Sequence, residues 1–146
     1  MAAAFALTPC GFAKAQPNSQ GPRNTDAEFK CSLPKDFRFI RVDTQGKRLF
    51  LEGTEANVAS RRKVDSFLKG LDKAIGDCMP SWRGSWSASF FSDPELAGYK
   101  TEFSEGAELG SWAMAYVAEY DRSTEILTVL PLEKTKIRTR RVIVNH

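Results

Sequence analysis

From Asn57 to Pro80 the chain reads NVASRRKVDSFLKGLDKAIGDCMP, and within it Val64, Phe67, Leu68, Leu71, Ile75 and Cys78 recur at steps of three and four. That period is one face of an α-helix, so these side chains form a single apolar stripe while Arg62, Lys69 and Lys73 point the other way. Thr54 or Asn57 supplies an N-cap oxygen, Gly76 offers a stop, and Pro80 lacks the N–H that continuation needs. A helix with one apolar stripe must bury it against a second layer, and the flanking sequence supplies that layer as strands.

Upstream, Phe37 to Val42 and Arg48 to Glu52 are β-rich runs joined by the turn residues Asp43-Thr44-Gln45-Gly46-Lys47, a first hairpin. Downstream, Trp86, Ala88 and Phe90 alternate with Ser87 and Ser89, and Tyr99, Thr101 and Phe103 alternate with Lys100 and Glu102. Trp112, Met114, Tyr116, Ala118 and Tyr120 then lead through the turn Asp121-Arg122-Ser123-Thr124 to Ile126, Thr128 and Leu130. Pro131 marks a strand end or an edge. Lys136 to Val144 supplies a last strand, with Ile137, Thr139, Arg141 and Ile143 on one side. The expected fold is α+β: a mostly antiparallel, twisted sheet of six to seven strands in the order ββαβββββ, with one long amphipathic helix packed on one face.

With 146 residues, 42% hydrophobic and 27% charged, the chain suits one packed domain. No apolar run approaches the roughly 18 to 20 residues of a membrane span, so no transmembrane segment is expected in the mature chain. Residues 1–15 read as a signal peptide, because Met1 to Ala13 is small or apolar almost throughout and Ala13-Lys14-Ala15 has the small-x-small form of a cleavage site. The basic flank of such a signal is missing ahead of the apolar run, and a transit peptide competes, since no acid precedes Asp26. Residues 16–28, with Pro17, Asn18, Ser19, Gln20, Gly21 and Pro22, read as a flexible linker, and 29–146 as the single domain.

Removing 1–15 takes Cys10 and leaves the even pair Cys31 and Cys78. In an oxidising compartment the pair forms a disulfide between the end of the helix and the segment ahead of the first strand; otherwise both are buried free thiols. Two distant cysteines and one terminal histidine, His146, do not make a metal site, and no cofactor is expected.

Net charge is +3, which conceals segregation. Residues 29–92 carry 12 basic and 7 acidic side chains, residues 93–133 carry 2 and 9, and residues 134–146 carry 5 and none. Basic and acidic strands that pair across a sheet account for this pattern, and so does a surface that steers a charged partner. The densest basic run is Lys134, Lys136, Arg138, Arg140 and Arg141, and strand alternation aims Lys136, Arg138 and Arg140 to one face. Three cations there suit phosphates, and they equally suit a solvated edge strand protected from self-pairing. Among the aromatics, Trp82 lies between turn residues in Pro80-Ser81-Trp82-Arg83-Gly84-Ser85 and is the one expected to be exposed.

Catalytic patterns are absent. Glu102, Glu105 and Glu108 offer no arrangement that raises one carboxyl pKa against another. His146 is terminal, no nucleophile elbow or Ser-x-x-Lys occurs, and phosphate loops are missing. The expectation is a binding protein of the cell envelope, periplasmic or secreted, that acts on another protein as an inhibitor, immunity-type protein or assembly accessory. The alternative is a module that binds anionic lipid, lipopolysaccharide or glycan through Lys136, Arg138 and Arg140. Nucleic acid is disfavoured by export and by the lack of an aromatic or glycine-rich RNA-binding signature.

Overall fold

The computed structural model describes residues 29, 31–103, 106–131 and 136–144. The expected signal peptide and linker, Glu105, Lys134 and His146 lie outside the described residues. Among the described residues six strands are present, β1 (Arg38–Asp43), β2 (Arg48–Glu52), β3 (Ser87–Phe91), β4 (Tyr116–Asp121), β5 (Ile126–Val129) and β6 (Arg138–Arg141). The α-helices are α1 (Glu55–Ala59), α2 (Arg61–Cys78) and α3 (Ala107–Ala115). The strands lie side by side in chain order. Adjacent hairpins are antiparallel, while β2 and β3 run parallel because α1 and α2 carry the chain back across the sheet between them. The α+β expectation holds, with one strand fewer than the longest reading.

Thr54 caps α1 by accepting the Asn57 N–H at 3.2 Å. The helix does not run on from there. Ser60 is extended and takes part in both ends, closing α1 and opening α2. Helix α2 then passes through Gly76 and stops only at Met79, whose N–H bonds the Ile75 carbonyl at 2.7 Å. Val64, Phe67, Leu68, Leu71 and Ile75 are buried as the stripe requires, and Arg62, Lys69 and Lys73 are exposed. Cys78 departs from the stripe: the residue is exposed, one turn past the last core contact.

The stripe packs on one face of the sheet, where Leu49, Leu51, Ala88, Phe90, Ala118, Tyr120, Leu127 and Val129 point. Phe37 sits between the layers, edge-on to Phe67 at 4.8 Å and to Phe90 at 5.1 Å. Gly53 permits this, since a Cβ there would lie 2.7 Å from the Phe37 ring. Each fully buried Leu, Ile or Phe contributes about 1.5–3 kcal/mol, so the stripe is the principal tie between the layers.

The opposite face of the sheet is partly covered by residues 94–103 and 106–115. Phe50, Phe91, Ala97 and Ala115 form its small core, with Tyr99, Trp112 and Tyr116 packed against it. One expected strand fails here and another is shortened. Lys100–Glu102 is a 3-10 turn, because the Glu102 carboxylate turns back to accept the Tyr99 N–H at 2.9 Å. Trp112 and Met114 belong to α3, and the strand begins only at Tyr116. Helix-forming Ala107, Glu108, Leu109, Ala113 and Met114 outweigh the alternation there, and Trp112 is held by its Nε1–H on the Gly98 carbonyl at 2.9 Å.

Cys31 and Cys78 lie at disulfide distance, with Cα atoms 5.5 Å apart. The pair ties the end of α2 to the segment ahead of β1.

Candidate functional site

Most of the charge segregation in the sequence is resolved by pairing. Arg41 meets Glu102 through both terminal nitrogens, at 2.8 and 2.6 Å, and its guanidinium lies 4.7 Å from the Phe50 ring centroid. Only its Nε finds no acceptor among the described residues. Arg48 donates to Ser89 Oγ at 2.5 Å and stands 3.9 Å from Glu119, which accepts from the Tyr116 hydroxyl. Arg122 reaches Asp72 at 2.9 Å, the same carboxylate that accepts from Trp86 Nε1. These are locked pairs. Tyr99 is pushed up to about 12, first by burial and then by its hydrogen bond to Asp43, so it has no reactive phenolate at neutral pH.

The exceptions gather where β6 meets the start of α2. Val58, Ala59, Arg61, Val129, Arg138, Thr139 and Arg140 line a cleft of about 250 Å³. Arg138 lies opposite Val129 and Arg140 opposite Leu127, so both point to the helix face of the sheet. Arg140 is half-buried and pairs with Asp65 through two bonds, at 3.1 and 2.6 Å. Arg61 and Arg138 are exposed and pair with no acid among the described residues. Arg62 and Lys63 complete a first helical turn that holds no acid at all. Such a turn is electrostatically unfavourable, because the helix dipole already places partial positive charge there.

The other face of the same edge carries exposed isoleucines. Thr139 lies opposite Thr128 and Arg141 opposite Ile126. Strand alternation places Ile137 and Ile143 on that side as well. Ile126, Ile137 and Ile143 are 36%, 48% and 55% exposed, and with Met114 they are the large apolar side chains left in water among the described residues. Arg141 crosses this face to Glu125 at 3.2 Å. Strand β6 has no neighbour on its outer side among the described residues, so alternate N–H and C=O groups face outward.

Of the residues singled out from sequence, Arg138 and Arg140 share one face as expected, and Lys136 is exposed just ahead of the strand. Trp82 is a correction. It is 3% exposed, in a 3-10 turn begun by Pro80, with its ring 5.9 Å from that of Phe29. The turn residues around it bend the chain so that the indole drops into the core. Arg61 was not singled out, although Arg61-Arg62-Lys63 is visible as a basic triplet; its place beside β6 is a tertiary fact with no local signal. Compared with family models, curated proteins and solved structures, the chain matches none.

Proposed function

We propose that the mature chain is a small exported protein of the cell envelope, periplasmic or secreted, that works by binding another protein as an inhibitor, immunity-type protein or assembly accessory. The observation that carries the reading is the β5–β6 edge, which presents exposed Ile126, Ile137 and Ile143 on one face and, on the other, Arg61 and Arg138 without an acidic partner among the described residues. Apolar side chains next to desolvatable arginines are the composition of protein interfaces. The edge is held by the sheet and by α2, so little ordering entropy is lost on docking. Export is supported by the Cys31–Cys78 pair, which an oxidising compartment converts to a bond that survives.

Capture from envelope extract on the immobilised chain tests this, followed by reconstitution with the captured protein at fixed stoichiometry. A complex that forms with purified partner supports the reading; no reproducible partner removes it. The second reading, anionic lipid, lipopolysaccharide or glycan, is favoured by the first turn of α2, where Arg61, Arg62 and Lys63 oppose the dipole and an anion would offset that cost. It predicts binding to anionic vesicles that collapses between low and physiological salt.

A further inference from the structure

We infer that the partner contributes a β-strand to the outer edge of β6, and that this strand alternates acidic with apolar side chains. The inference rests on the protein-binding reading and specifies the chemistry of the partner. In a sheet, directly opposed residues point to the same face. Residues of an added strand that oppose Arg138 and Arg140 therefore enter the side of the cleft lined by Arg61, Val58 and Val129. Carboxylates there meet Arg138 and Arg61, which lack acidic partners among the described residues, and they share Arg140 with Asp65. Residues between them point to the opposite face, beside Ile137, Thr139 and Ile143, where apolar side chains remove exposed isoleucine surface from water. The outward backbone groups of β6 supply the hydrogen bonds that hold the strand in register.

The same charges decide against a second copy of this chain. Antiparallel self-pairing centred on Thr139 sets Arg138 against Arg140 on both sides, and like charges directly opposed destabilise a strand pair. The edge thus rejects its own kind and admits an acidic strand, which is specificity obtained by repulsion as well as attraction.

The test uses the oxidised full chain, labelled with nitrogen-15, and a short capped peptide alternating Glu with Val. Saturable amide shifts centred on Thr139 and Arg141 are expected, with slowed hydrogen exchange along β6. Replacing each Glu by Lys abolishes binding, and N-methylation of alternate peptide amides weakens it at least tenfold in the register that faces β6. Arg138→Glu weakens it roughly tenfold, while Lys69→Glu, the same charge change on the outer face of α2, alters it less than about twofold. Undiminished binding of the Lys peptide or of both N-methylated peptides overturns the inference, as do shifts centred away from β6. Binding to phosphatidylglycerol vesicles in place of the peptide, lost in Arg138→Glu, also overturns it in favour of a lipid headgroup. If the peptide fails while a captured protein still reconstitutes, the strand inference falls and the protein-binding reading stands.

Discussion

At the scale of single residues, Tyr99 and Asp43 show how a polar contact fixes the covered face of the sheet. Asp43 is 6% exposed, and its Oδ1 accepts the N–H groups of Gln45 and Gly46 at 3.0 Å each, which shapes the β1–β2 turn. Its Oδ2 accepts the Tyr99 hydroxyl at 2.5 Å. Burial first, then this bond, raises Tyr99 from 10.0 to about 12, so the folded state favours the protonated phenol. The resulting stabilisation is complete below about pH 10 and is lost as pH rises from there through about 12. Tyr116 and Tyr120 are shifted upward as well, each mainly by burial. Denaturant midpoints should therefore fall across that window, and Tyr99→Phe should cost about 1–2 kcal/mol at pH 7 while removing part of the alkaline decline. An unchanged alkaline slope in the variant would show that Tyr99 does not hold its proton through the fold. Asp43 was legible as a turn residue. Its partner was not, because the two are 56 positions apart and Tyr99 sits in an alternation that imitates a strand.

At the scale of elements, α2 was the most legible part of the chain, since a 3.6-residue period sustained from Val64 to Ile75 has no strand counterpart. Leu71→Ala should cost about 2–5 kcal/mol, because Leu71 is fully buried against the sheet, and Lys69→Ala less than about 0.5 kcal/mol. Chemical denaturation of both variants checks the face, and comparable losses would place the stripe wrongly. Helix α3 was illegible for the opposite reason. Its nine residues, Ala107–Ala115, are apolar nearly all round and end in an aromatic alternation that continues into β4 without a break. Periodicity cannot mark a boundary where both elements share the pattern. The anchor that decides it, Trp112 on the Gly98 carbonyl, is again a contact between segments. The basic triplet Arg61-Arg62-Lys63 illustrates a third case: its residues were plain, but the break at Ser60 that sets Arg61 beside β6 was not.

At the scale of the whole molecule, the alternation of charge along the chain anticipated which pieces pair: Arg41 with Glu102, Arg48 with Glu119 and Arg141 with Glu125 join basic segments to the acidic one. The uncompensated cleft was legible only in half, through Arg138 and Arg140, because its other wall comes from α1 and α2. Bonding of Cys31 to Cys78 closes a loop with a sequence separation of 47, worth on the order of 4 kcal/mol. Thiol labelling of the denatured, unreduced protein from its native host should find both cysteines blocked, and reduction should lower stability by a few kcal/mol. Two free thiols would remove the support for export. The binding claim itself is tested most directly in the native host, by photo-crosslinking from a benzophenone amino acid at Thr139 and, as control, at Lys69. The account predicts a discrete protein adduct from Thr139 that Arg138→Glu strongly reduces, and none from Lys69. Adducts from Lys69 without Thr139, or only lipid adducts from Thr139, would contradict it.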